Sequence, residues 1–183
     1  MLNLFMVVLG CNLPNRFTEQ HDVYFGIGES ISSLKKSMEA FWPEAGDRLH
    51  IDSYRVVSKV GGCSISILNR NQKVNNEGLK LFFINLGGYK PNDMEEYHYK
   101  HLVVAKNMVE AVEFAKKDLF WKHIKSPHVD NKYGLDVDDA FEVEDMLSKE
   151  FTERYYLHIS QEQGDSSIED KLTIGYLKLS QLK

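Results

Sequence analysis

Cysteine is scarce in this chain, with Cys11 and Cys63 the only two among 183 residues. Two thiols cannot staple a small secreted fold, so a reducing compartment is expected. Long apolar runs are missing as well. Leu2 to Leu9 is far shorter than the ~20 residues that cross a bilayer, has no basic residue before it, and leads into what looks like a strand rather than a signal peptide. Positive charge is in deficit, with 22 Lys and Arg against 27 Asp and Glu, a net charge of -5 and a pI near 5.8. No basic stripe can displace phosphate counterions, which argues against a nucleic acid partner. Catalytic signatures are absent too. There is no His-Glu-x-x-His or other metalloenzyme spacing, and the acidic run from Asp136 to Asp145 lacks the twelve-position pattern of a calcium loop. That run reads instead as a solvated strand edge, with Phe141 and Val143 facing inward. What remains is a cytosolic globular protein, 43% hydrophobic and 27% charged, with no membrane partner.

What the chain does have is an internal echo. Leu4-Phe5, Leu9-Gly10, Pro14-Asn15, Glu19 and His21 return with unchanged spacing as Leu81-Phe82, Leu86-Gly87, Pro91-Asn92, Glu96 and His98. After small insertions Phe41-Trp42 answers to Phe120-Trp121, His50-Ile51-Asp52 to His128-Val129-Asp130, and Tyr54 to Tyr133. An old duplication is the simplest account. It sets the first repeat at residues 1–68, a linker at 69–78, and the second repeat with one added strand at 79–183, together forming one compact pseudo-symmetric unit.

Each half opens with a continuous apolar run suited to a buried strand, Leu4 to Leu9 and Leu79 to Leu86, and each run stops at glycine. Asp22 to Ile27 and Tyr99 to Ala105 are rich in β-branched and aromatic residues and predict second strands. Ser30 can cap a helix whose stripe is Ile31, Leu34, Met38 and Phe41, closed by Pro43. Asn107 can cap its counterpart, with Met108, Val112, Ala115 and Leu119 as the stripe. Gly61-Gly62 predicts a two-residue hairpin loop between Leu49–Val60 and Cys63–Leu68. The matching segments are Ala140 to Met146 and Arg154 to Gln161, and Leu172 to Leu179 adds a last strand. The expected fold is α+β: a ββαββ repeat, twice, in a mixed sheet with one helix per repeat and one extra C-terminal strand.

The duplicated polar pairs are the candidate site. Glu19 and His21 are two apart, as are Glu96 and His98, His50 and Asp52, and His128 and Asp130, so each pair projects from one side of an extended segment. If the helix joins strands that run the same way, Glu19, His21, His50 and Asp52 meet at one rim beside Gly10. Glu96, His98, His128 and Asp130 would form the twin cluster. Opposed strands would scatter them. Carboxylates beside imidazoles suit general acid and base work or a divalent transition metal, and they also suit plain hydrogen bonding to loop backbone. The leading expectation is a non-catalytic module binding a small ligand or another protein. The alternative is a metal-assisted hydrolase or lyase using the same residues. A homodimer built on the paired halves is a third expectation. Catalytic residues, cofactor and metal are left unassigned.

Leu9-Gly10, Glu19-Gln20-His21-Asp22, Phe25-Gly26-Ile27-Gly28, Phe41-Trp42-Pro43-Glu44-Ala45 and Leu49-His50-Ile51-Asp52 resemble an uncharacterised bacterial family, domain of unknown function 1543. The second half resembles it more weakly, departing at Tyr97, Tyr99 and Val103. The resemblance implies a shared fold and a bacterial origin, and transfers no activity.

Overall fold

The computed structural model describes residues 1–72, 76–89, 92–123, 136–161 and 170–182. The fold is α+β, rich in strands with few helices, and it divides into two compact units, Met1–Val74 with Met146–Lys183, and Asn75–Asp145.

In the first unit, β1 (Asn3–Cys11) lies between β2 (Gln20–Gly28) and β3 (His50–Val57), and β10 (Thr173–Lys178) pairs with the far side of β3. All three pairings are antiparallel. The apolar run makes β1 a central strand, with Leu4, Phe5, Val7 and Leu9 buried. Between β2 and β3 the chain crosses one face. Ser30 accepts from Ser33 N to cap a short 3-10 turn, α1 (Lys35–Phe41) follows, and Pro43 opens a second 3-10 segment. Leu34 and Met38 are the buried part of the expected stripe, while Phe41 stays partly exposed against the edge of Tyr24. A smaller sheet holds β4 (Lys59–Val60), β5 (Cys63–Asn69) and β9 (Tyr155–Gln161). Gly61 and Gly62 have φ of 55 and 82°, the left-handed pair that a two-residue hairpin needs between Val60 and Cys63.

The second unit is a three-stranded sheet in which β6 (Lys80–Tyr89) lies between β7 (Glu96–Ala105) and β8 (Asp136–Glu142). Asn107 caps α2 (Met108–His123) by accepting from Glu110 N at 3.0 Å. Ala111 and Ala115 pack on Phe82, Ile84 and Leu86. The short helices α3 (Val143–Met146) and α4 (Lys149–Thr152) lead on to β9.

Four expectations need correction. No parallel ladder occurs among the described strands, because β2 and β3 run the same way but are held apart by β1, so the sheet is antiparallel rather than mixed. The division of the chain also differs. β9 pairs with β5 and β10 with β3, which returns everything from Met146 onward to the first unit rather than to a second repeat ending at 183. The third strand of the second unit starts at Asp136, four residues before the predicted Ala140. Finally, Phe141 is exposed and the inward residues of β8 are Val137 and Ala140. They are three apart because β8 carries one residue more than β6 between Val137 and Asp139, and such a bulge breaks simple alternation.

Candidate functional site

Both strands that flank β1 in the first unit place a histidine opposite the same glycine. His21 of β2 and His50 of β3 are the register partners of Gly10 on either side of β1. Because both strands oppose β1, they share a direction, and the four candidates of the first half come together at one rim. A Cβ built on Gly10 would stand 2.5 Å from His50 Nε2 and 2.8 Å from Asp52 Oδ2. Glycine therefore leaves the notch into which the side chains lean.

A second device aims Asp52. The ladder passes from Val8↔Ser53 to Leu9↔Ile51, leaving Asp52 as a surplus residue on β3. Such bulges redirect side chains and recur next to functional sites. Alternation across the ladder puts Gly10, His21 and His50 on the face opposite Leu9, Ile51 and Cys11. Cys11 is buried with its thiol toward the Ala45 carbonyl, away from the notch.

The cluster is tight. His50 Nε2 is 3.0 Å from Glu19 Oε1 and 3.4 Å from Asp52 Oδ1, and His21 Nε2 is 3.1 Å from Asp52 Oδ2 and 3.5 Å from Glu19 Oε2. His50 forms the floor at 2% exposure, while Asp52, Glu19 and His21 form the mouth at 29, 33 and 45%. His50 Nδ1 lies 2.9 Å from the Arg48 carbonyl. A carbonyl only accepts, so Nδ1 carries the proton and a neutral ring keeps its lone pair on Nε2. That nitrogen and Asp52 Oδ2 are buried without a hydrogen-bond partner. The carboxylate oxygens stand at ion-pair distance from Nε2 yet off the direction in which an N–H there would donate. The missing hydrogen bond is the more informative of the two facts, because a hydrogen bond requires direction as well as distance.

Three contributors escaped the sequence reading. Asn12 donates to Glu19 Oε1 at 3.0 Å and orients that carboxylate. Tyr176 of β10 lies over the His50 ring with centroids 4.4 Å apart. It is carried there by an irregularity in the β10–β3 ladder between Ile174 and Leu177, where Gly175 takes a φ of 144°. The Arg48 carbonyl fixes the tautomer. Only the glycine beside Tyr176 offered a sequence signal.

The second unit repeats part of this arrangement. His98 is the partner of Gly87 on one side and Asp136 on the other. The surplus residue of β8 is Asp138, whose Oδ2 lies 3.4 Å from His98 Nε2 and 2.5 Å from where a Gly87 Cβ would be. Asp136 and Asp138 thus hold the register positions of His50 and Asp52. The sequence echo had matched those to His128 and Asp130, which lie outside the described residues. Glu96 pairs with Tyr89, two steps along the ladder from Gly87. With an aspartate where the floor histidine stands in the first unit, the second cluster is a different site chemically.

Two imidazoles and two carboxylates are a donor set for a divalent metal. Among the described residues, however, no three such side chains already stand in a metal-holding arrangement. Also among the described residues, no helix is long and apolar enough to cross a membrane.

Residues 16–67 match the model of a family described as Domain of Unknown Function (DUF1543), and the segment is a domain of that type. The match takes in Glu19, His21, His50 and Asp52. No curated protein matches the chain. The fold is similar to the crystal structure of a protein Il1583 from Idiomarina loihiensis, with a TM-score of 0.64 and 20% identity over 98% of this chain and 99% of that one.

Proposed function

We propose that this DUF1543-type chain is a non-catalytic binding protein whose Gly10 notch takes a small ligand bearing positive charge. The observation that carries the reading is the pair of buried, unpartnered atoms, His50 Nε2 and Asp52 Oδ2, inside a cluster of converging carboxylates. A buried polar atom without a partner costs about 1–3 kcal/mol, and a bound positive group would relieve two such costs together. The matched registers of the two sheets, each with a glycine opposite a histidine and a surplus aspartate on its third strand, support descent of both halves from one ββαββ ancestor. Divergence then left the first unit as the binding half. Two free buried thiols support a cytoplasmic home.

The test is a melting-shift screen of the whole chain against divalent cations, alkylammonium and guanidinium salts, phosphate and small carboxylates. A positively charged probe should raise the melting temperature, and Glu19→Gln should remove that shift without lowering stability. If only anions act, or if no probe acts, the reading fails. If His50→Ala alone unfolds the chain, and Glu19→Gln binds like wild type, the cluster serves structure rather than binding.

A further inference from the structure

We infer that the occupant of the notch is a divalent transition-metal ion anchored on His50 Nε2, an inference that rests on the binding role proposed above. Three independent features of the geometry lead there.

The first is the direction of a lone pair. The Arg48 carbonyl holds the proton on Nδ1 of His50, so Nε2 offers a lone pair, and it faces two carboxylate oxygens at 3.0 and 3.4 Å. Electron pairs facing anions repel unless a positive centre lies between them. A proton on Nε2 does not provide it, since neither oxygen lies where an N–H could donate. A metal ion does, because it sits on the lone-pair axis and lets each oxygen approach from the side.

The second is the spacing between donors. Metal–nitrogen and metal–oxygen bonds of about 2.0–2.2 Å put neighbouring ligand atoms about 3.0 Å apart in an octahedral shell and about 3.4 Å apart in a tetrahedral one. The four nitrogen–oxygen separations are 3.0, 3.1, 3.4 and 3.5 Å. The four contacts join two imidazole nitrogens to four carboxylate oxygens on two segments, residues 19–21 and 50–52, and lie close to that window although none of them is a hydrogen bond.

The third is the outer support. Ligating histidines usually donate their second ring nitrogen to a carbonyl or carboxylate, and ligating carboxylates are themselves hydrogen-bonded. Arg48 O does the first for His50 and Asn12 Nδ2 the second for Glu19. Tyr176 covers the imidazole face. Among the described residues no three donors already form a finished cage, so the proposed site requires side-chain rotation at its mouth. His50 and Asp52 are set by β3, whereas Glu19 and His21 are the more exposed pair and close on the ion by rotating their side chains. The two-imidazole, two-carboxylate set suits zinc, manganese, iron, cobalt or nickel, and disfavours calcium and magnesium, which prefer oxygen.

The experiment uses the whole chain, stripped with chelator, and titrated calorimetrically with cobalt, zinc, manganese and nickel chlorides, the cobalt titration also being followed in the visible spectrum. The expected result is one equivalent per chain, visible bands when cobalt binds, binding weakened at least tenfold by Glu19→Gln and abolished by His50→Gln, and no effect of His98→Gln in the second unit. The partly exposed Glu19 guards against a folding artefact at His50. If none of the metals binds while an ammonium or guanidinium salt still raises the melting temperature, the metal is overturned and the binding role stands. If nothing binds, both fall. A metal that binds equally well to both first-unit variants lies elsewhere, and also overturns the inference.

Discussion

Replacing Gly10 by alanine puts one methyl group where the floor of the notch now has none. The new carbon would stand 2.5 Å from His50 Nε2 and 2.8 Å from Asp52 Oδ2, so about 0.9 Å of overlap with the ring must be relieved, taking about 3.4 Å as the lower edge of ordinary contact. Little around the ring can give. β3 is paired on both sides, Tyr176 covers the ring face, and Nδ1 is tied to Arg48. Overpacking of this kind costs about 1–3 kcal/mol, and swinging the ring away adds about 1 kcal/mol for the Arg48 bond. The reduced freedom of the unfolded chain returns about 0.5–1 kcal/mol. The net expectation is a loss of about 1–3 kcal/mol, which at about 2–4 °C per kcal/mol lowers the melting temperature by roughly 2–12 °C. Urea unfolding of wild type, Gly10→Ala, His50→Ala and the double variant measures the coupling directly. The alanine penalty should shrink by about 1–2 kcal/mol once the imidazole is gone, leaving the part due to Asp52. A Gly10→Ala protein as stable as wild type, or a penalty indifferent to His50, would refute the claim that this glycine exists for close approach.

Three further outcomes follow from other parts of the molecule. The Asp170 carboxylate accepts from Ser58 N, Ser58 Oγ and Lys59 N at 2.7, 2.6 and 2.9 Å, so Asp170→Ala strands two backbone donors and should cost about 2–3 kcal/mol in urea unfolding; a loss below about 0.5 kcal/mol would show that water replaces them. Burial pushes the Tyr24 phenol above its ordinary 10.0, the Ser37 hydrogen bond opposes this, and Glu150 adds to it. The folded chain therefore holds that proton more tightly than the unfolded one, and the contribution is intact below pH 10 and lost as pH rises through the raised value. Tyr24→Phe should flatten the fall in urea midpoint between pH 9 and 11, and an unchanged slope would assign the fall to other groups. Burial likewise raises the Cys63 thiol, and Cys11 is buried, so a thiol reagent at pH 8 should label neither cysteine until denaturant is added; rapid labelling of folded protein would contradict the packing of both.

The sequence made legible whatever depends on short range. The apolar runs ending at glycine, the Ser30 and Asn107 caps, and the Gly61-Gly62 hairpin are each decided within a few residues, and each occurs where expected. The repeated Pro-Asn was legible only as part of the echo. Asn15 and Asn92 both take positive φ, and Arg16 N closes the first turn on Leu13 O, which gives the pair a backbone reason to recur. The meeting of His21 with His50 was legible only as a condition on strand direction, which no local pattern fixes. Pairings across long sequence separations stayed hidden. Nothing near Tyr155 announces that β9 joins β5, and nothing near Tyr176 announces that it reaches His50. The exchange of His128 and Asp130 for Asp136 and Asp138 at Gly87 has the same cause, since the longer connection after α2 moved the start of the third strand while leaving residue types that still aligned.

The surplus residue in β3 sets the parity of the strand. Because Val8 faces Ser53 and Gly10 faces His50, an odd number of steps separates two side chains that point the same way. Loss of the Asp52 codon would make the ladder regular and leave its pairings as they are, Ser53 on Val8, Ile51 on Leu9 and His50 on Gly10, so the imidazole would keep its place and only the carboxylate would go. Straightening the strand with every residue kept would instead put Ile51 opposite Gly10 and turn His50 to the other face. A lineage can discard the aspartate and still hold the histidine in the notch, but it cannot iron out β3 at its present length without turning that pocket inside out.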